Sequence, residues 1–160
     1  MSTRFTHLDS SGQARMVDVT GKTPTVRSAT ATGRVLCGPE VMAALRDDTV
    51  PKGDALAVAR IAGIQGAKRC AELLPLAHVI GVHGAAVDLF LEEDGVRIEA
   101  TVRTADRTGV EMEALTAVSV AALALVDMVK GIDKSVSIGD IRLEAKTGGK
   151  SGDWYRQTEG

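Results

Sequence analysis

The chain has 160 residues, a formal net charge of −2, 44% hydrophobic residues and only 2% aromatic ones. That is enough for one domain whose core is aliphatic and alanine-rich, and the near-neutral balance excludes a general grip on nucleic acid while leaving room for a local basic pocket. The only cysteines, Cys37 and Cys70, are too few for a disulfide framework; with no secretory leader or transmembrane run, a cytoplasmic protein with no membrane partner is expected.

Residues 1–15 carry no sustained period and read as an irregular N-terminal segment. From Val26 to Leu36 small residues alternate, at Ala29, Ala31 and Gly33, and predict a strand. Pro39 suits the first turn of a short helix over PEVMAALRDD. Lys52-Gly53-Asp54 then leads into a second helix, Ala55 to Leu74, with Asp54 as its N-cap and Pro75 as its stop. On that helix Ala59, Gly63 and Gly66 share a strip. Glycine in a helix interior costs about 1 kcal/mol, so a closely packed neighbour is expected there.

Val87, Leu89 and Leu91 alternate, Asp94-Gly95 marks a turn, and Val96, Ile98, Ala100 and Val102 alternate again, which predicts a hairpin. After the central helix, Ser135 to Ala145 reads as a last strand with Ile141, Leu143 and Ala145 on one face. Strand, two helices, two strands, helix, strand is the order of an α+β, ferredoxin-like domain, with helices on one face of an antiparallel sheet. A single domain over residues 1–160 is expected, with residues 146–160 as a flexible Gly/Lys-rich tail.

The run Asp106–Lys134 is the centre of the chain. It is apolar on almost every face from Val110 to Val129, with Glu111 and Glu113 at one end and Asp127 and Lys130 at the other. Such a helix is normally buried all round. At about 1.5 Å and 100° per residue, Glu113 and Asp127 lie near one line of the cylinder but about 21 Å apart along it. A small ligand cannot easily touch both on one helix. Two copies packed antiparallel about a two-fold axis would bring Glu113 of one toward Asp127 and Lys130 of the other, although solvated charges at the ends of a core helix would give the same sequence.

Candidate chemistry sits at the joints. Lys52 precedes a helix N-terminus, which favours anions, though an exposed loop lysine would read the same. His78 follows the helix stop at Pro75, where a general acid/base can face a cleft or a histidine can be structural. His7 and His83 have less support, and no spacing resembles a metal site. The segment Lys146-Thr147-Gly148-Gly149-Lys150-Ser151-Gly152 fails the Walker pattern because Glu144 stands where its first glycine belongs. Its lysines either close over phosphates or belong to a disordered tail.

Several of these segments together resemble the molybdenum cofactor biosynthesis protein C family. The resemblance rests on Met16-Val17-Asp18-Val19, Lys52-Gly53-Asp54 with ARIAGIQGAK, Leu74-Pro75-Leu76 with His78, RTGVEMEALTAVSVAALALVDMVK, and KTGGKSGDW, and spans residues 16–154. It implies conversion of the cyclic intermediate 3′,8-cyclo-7,8-dihydro-GTP to cyclic pyranopterin monophosphate with loss of pyrophosphate. It also implies catalytic roles for Lys52, His78, Asp127 and Lys130, and substrate contacts at Ala77, His78, Glu111, Met112, Glu113, Lys146, Lys150 and Arg27. No cofactor is implied beyond Mg2+ carried on the triphosphate, and no metal site. The implied assembly is a hexamer, a trimer of dimers with its sites at the dimer interface. One stretch departs from the family: Pro75-Leu76-Ala77-His78-Val79 stands where Pro-Leu-Cys-His-Pro is usual, which leaves the setting of His78 open. A non-catalytic or weakly active nucleotide-binding paralogue is the alternative; the acid/base set Glu111, Glu113, Asp127 and His78 counts against it.

Overall fold

The computed structural model describes residues 6–158; the expectations for residues 1–5 and 159–160 lie outside them. Its elements are β1 (Thr25–Leu36), α1 (Pro39–Arg46), α2 (Ala55–Lys68), α3 (Cys70–Leu73), β2 (Gly84–Leu91), β3 (Gly95–Asp106), α4 (Glu111–Val129), β4 (Ser137–Thr147) and β5 (Trp154–Tyr155). The strands form one antiparallel sheet in the order β2-β3-β1-β4-β5. The first four strands in that order, with helices between β1 and β2 and between β3 and β4, give the expected ferredoxin-like α+β arrangement.

Helix α4 packs against β1, β3 and β4, and α2 covers β2 and the flank of α4. Nine α4 residues are buried, from Glu113 to Val129. With a mean hydropathy of 1.8 the helix is long and apolar enough to cross a membrane; here about half of it is buried, against the sheet and α2, while Leu123 stays exposed. The inward side of β1 is small, with Ala29 and Ala31 buried and a Cβ at Gly33 blocked by Val118 and Ile141. Small residues on both partners let the α4 backbone lie low on the sheet.

The expected strip on α2 is the contact with α4. A Cβ on Gly63 would lie 3.0 Å from the Ala117 carbonyl oxygen and 3.1 Å from the Ala121 Cβ, and one on Gly66 would lie 2.9 Å from Val120. Asp54 caps α2 by accepting from the Ala57 N–H at 3.0 Å. The helix ends sooner than its sequence predicts. At Arg69 the backbone leaves the helical well (φ −108°, ψ 12°), and its N–H is shared between the carbonyls of Gln65 and Gly66. The chain then restarts as α3, with Cys70 buried.

A second departure lies in β4. Ala31 pairs with Leu143, but Thr30 pairs with Ala145, so Glu144 is an extra residue, and a second irregularity accompanies Asp140 at φ 55°. Side chains directly opposed across a ladder share a face. Ala145 therefore sits opposite outward-facing Thr30, not on the face of Ile141 and Leu143 as the alternation predicts. A bulge reverses the parity of everything beyond it. Residues 146–160, expected as a flexible tail, include a return strand in which Tyr155 pairs with Ala145 and Trp154 with Lys146.

Overpacking the α2–α4 contact gives a direct check. Gly66→Leu must push Val120 and the helix axis apart and is expected to destabilise the fold by about 2 kcal/mol or more. A thermal melt unchanged from that of the parent would refute the close approach.

Candidate active site

The two ends of α4 carry different chemistry. At the C-terminal end Lys130 Nζ lies 2.7 Å from Asp127 Oδ1, and Lys52 Nζ donates to the Asp127 backbone carbonyl at 3.0 Å with Oδ1 at 3.4 Å. All three side chains are about half exposed. The Lys130 hydrogen bond and charge, with Lys52 behind them, hold the Asp127 carboxyl below the usual aspartate range. Lys52 reaches this position from the turn before α2, where Gly53 at φ 109° folds the chain back to the Asp54 cap. The result is a solvent-facing carboxylate with an ammonium on either side.

At the N-terminal end lies a cavity of about 770 Å³. Its walls are mostly apolar: Leu74, Pro75, Leu76 and Ala77 from the loop after α3, Met112 from α4, and Val17 and Val19 from the N-terminal segment. Three polar side chains of interest point to this space, His78, Glu111 and Glu113. Glu113 is only 4% exposed. Burial, with Glu111 adding repulsion, raises its carboxyl above the ordinary value, while His78 and nearby hydrogen bonds pull the other way. His78 Nε2 is hydrogen-bonded to the Val17 carbonyl oxygen. A carbonyl can only accept, so Nε2 carries the proton and Nδ1 of the neutral ring is left as the acceptor.

Beside this cavity, Glu111 and Gly109 also border a crevice lined by Arg27 and Lys146. The β4 bulge explains how Lys146 arrives there. It sits opposite Ala29, whose side chain is buried on the helix side, and Arg27 lies two residues earlier on the same side of β1. Arg27 Nε donates to the Asp106 carbonyl at 3.3 Å. Gly148 and Gly149 take φ near 80°, and a Cβ on either would collide, with the Val26 carbonyl and the Arg27 guanidinium respectively. Lys146 Nζ is bonded to Ser151 Oγ, and Asp153 accepts from the Gly148 N–H at 3.0 Å. Lys150 is exposed in this turn.

The structure thus assembles the sequence-derived candidates into two groups. Lys52, Asp127 and Lys130 meet at one end of α4; Ala77, His78, Glu111, Met112 and Glu113, with Arg27 and Lys146 alongside, meet at the other. It does not bring the groups together within one chain, since α4 separates them by about 21 Å. Lys22 also lines the large cavity and was missed. It stands in a segment without periodicity, and a turn in which its N–H donates to the Val19 carbonyl, with a tertiary tether, the Lys22 carbonyl accepting from Arg107 Nε at 3.0 Å, places it. His7 borders the same cavity, whereas His83 Nδ1 accepts from the Ala105 N–H at 3.3 Å in a structural role. Among the described residues no group of three His, Cys, Asp or Glu side chains could hold a metal ion.

A family model described as the MoaC family matches residues 16–149. The chain is 64% identical over 153 residues to a cyclic pyranopterin monophosphate synthase of Streptomyces coelicolor, covering 96% of this chain and 90% of the relative. Proteins of the same name from a Nocardioides species and from Chloroflexus aurantiacus are 61% and 56% identical, with 96% and 94% of the relative covered.

The burial of Glu113 makes a stability prediction. Its folded-state pKa is raised above the ordinary 4.5, so the folded protein holds this proton more tightly than the unfolded chain. That contribution is fully present below the unfolded value and is lost as pH rises through the folded one. Glu113→Gln removes the ionisation, so its melting temperature relative to the parent should climb as pH rises from 4.5. A difference that stays flat or falls with pH would show that the carboxyl is not disfavoured as an anion.

Proposed function

The chain belongs to the MoaC family, and we propose that it acts as a cyclic pyranopterin monophosphate synthase in molybdenum cofactor biosynthesis. It converts the cyclic dihydro-GTP intermediate to the cyclic pyranopterin with release of pyrophosphate, a phosphorus–oxygen lyase reaction. The observation that carries the site assignment is the division of the charged residues between the two ends of one rigid helix. Each end is incomplete: one has an apolar cavity with acid and imidazole, the other an exposed ammonium–carboxylate–ammonium cluster.

A homodimer with antiparallel α4 helices completes both. Leu123 in the middle of α4 is 61% exposed and Ile61 on α2 is 60% exposed, and a second copy would cover this apolar surface between the two polar ends. Each site would then take Lys52, Asp127 and Lys130 from one subunit and the cavity from its partner, and such dimers would assemble three at a time into a hexamer. The buried free thiols Cys37 and Cys70 suit a reducing, cytoplasmic setting.

In this reading the apolar cavity accepts the flat base-derived ring, with Met112 and Ala77 against it. His78 Nδ1 takes a proton while Nε2–H stays on Val17, and Glu113, whose burial favours the protonated form, is suited to exchange one. The reprotonations fall to Lys130 and Lys52, with Asp127 keeping the two ammonium groups within reach of one substrate. Closing the cyclic phosphate requires an oxygen to displace pyrophosphate from the α-phosphorus, and cations must offset the charge growing on the leaving oxygens. Arg27, Lys146 and Lys150 supply them. The described residues offer no acidic cluster for a resident metal; in this reading any Mg2+ is bound by the triphosphate.

The purified protein is expected to form the pterin product, read as fluorescence after oxidation, from the authenticated cyclic intermediate but not from GTP. No product would favour the non-catalytic binding reading. Site sharing has its own test. If Glu113 and Lys130 of different subunits complete a site, co-expressed Glu113→Ala and Lys130→Ala chains should recover roughly a quarter of the parent activity, because about half of randomly paired dimers are mixed and each has one intact site. Verified mixed dimers without activity would place both residues in a site within one chain.

A further inference from the structure

Between α3 and β2 the chain has no regular structure, and His78 stands in this loop. The histidine borders the large cavity and also a second crevice of about 590 Å³, lined among others by Val79, Ile80, Asp106 and Arg107. With open space beside it in both, packing has little hold on the imidazole, and the adjacent Val79 is 89% exposed. The bond from Nε2 to the Val17 carbonyl directs the ring only while the loop backbone stays within reach. Something must therefore locate the loop.

That hold is at Gly81, three residues beyond the histidine. Its N–H donates to Asp106 Oδ2 at 3.2 Å, and its carbonyl accepts from Thr104 Oγ1. Both partners are side chains from the end of β3, so both backbone polar groups of one loop residue are gripped by the same strand. The other Asp106 oxygen accepts from the Arg107 N–H at 2.7 Å. The carboxylate thus stands between the histidine loop and the turn that leads to Glu111. Just beyond Gly81, His83 N–H donates to the Arg103 carbonyl at 3.0 Å and the pairing of β2 with β3 begins. Gly81 is where the loop joins the sheet.

We propose that Thr104 and Asp106 are positioning residues, which clamp Gly81 and so set where His78 meets the cavity. The proposal rests on the reading that His78 acts in this site. Thr104 is 2% exposed and, with Glu113, one of two buried polar side chains among the described residues. A buried hydroxyl left without a partner costs about 1–3 kcal/mol, and the bond to Gly81 supplies one. The Arg107 and Gly81 N–H bonds hold the Asp106 carboxyl below the usual aspartate range. Near neutral pH it is therefore an anion that accepts at both oxygens.

The experiment follows the imidazole nitrogens of the free protein by NMR with labelled histidine, at alkaline pH where imidazoles are neutral, and His78→Gln identifies the signals. In the parent, His78 should show one tautomer, with its proton on Nε2. Thr104→Val and Asp106→Ala should each give a mixture of tautomers, whereas Thr104→Ser, which keeps the donor, should preserve the single form. In turnover of the cyclic intermediate, Asp106→Ala should lower kcat about tenfold and leave KM within about twofold, because the displaced group moves protons while the phosphate-binding cations stay in place. Asp106 is not buried, so its variant decides the matter if Thr104→Val folds poorly. A single Nε2–H tautomer in well-folded Asp106→Ala overturns the proposal, even if activity falls. So does a Thr104→Ser protein as mixed as Thr104→Val. Mixed tautomers in the variants of a protein that never turns over the cyclic intermediate uphold the clamp and overturn the functional reading instead.

Discussion

A helix without a polar face must be covered on more than one side, and the rest of this molecule follows from how α4 is covered. The sheet takes one side through Ala29, Ala31 and Gly33, and α2 takes another through Gly63 and Gly66. Those glycines forgo helix propensity, and the close contact with Ala117, Val120 and Ala121 offsets it. Packing this dense leaves α4 no room to slide or tilt. The helix becomes a ruler, and the charged residues at its two ends are held at a set separation. The apolar middle is thus tied directly to the chemistry, because it decides that no single chain can close both ends around one small substrate.

Much of this could be read from the sequence because it depends on local periods. The alternation in β1, β2 and β3, the Asp54 cap and the small strip on α2 each rest on residues close in the chain, and each stands where its pattern put it. The strand and helix order then leaves few topologies. The candidate residues at both ends of α4 were also visible, since carboxylates and ammonium groups flanking an uncharged run stand out.

What could not be read depends on partners distant in sequence. The bulge at Glu144 is invisible to alternation, because a strand does not reveal which of its residues its neighbour will skip. Yet it decides that Lys146 faces the helix side with Arg27. The break at Arg69 is similar. Nothing in the sequence around it forbids a continuous helix to Pro75, and the interruption has its effect elsewhere, in presenting Cys70 to Thr116 on α4. Lys22 and Val17 sit in a segment with no period of its own, whose place is fixed by tethers such as the Val17 carbonyl accepting from His78 Nε2 and the Lys22 carbonyl accepting from Arg107.

That segment answers the question raised by the loop around His78. A proline after the histidine, as the family resemblance leads one to expect, stiffens the backbone but leaves the imidazole free to rotate. Val79 stands there instead and is 89% exposed, so it adds little packing. The constraint in this chain acts on the ring itself: the Val17 carbonyl accepts a hydrogen bond from Nε2–H, which fixes the rotation of the imidazole and, when the ring is neutral, its tautomer. The loop can therefore lose backbone stiffness without losing the direction of Nδ1, provided the N-terminal segment stays docked over the cavity. On this account the part of the chain with the least secondary structure controls the most directional group in the site.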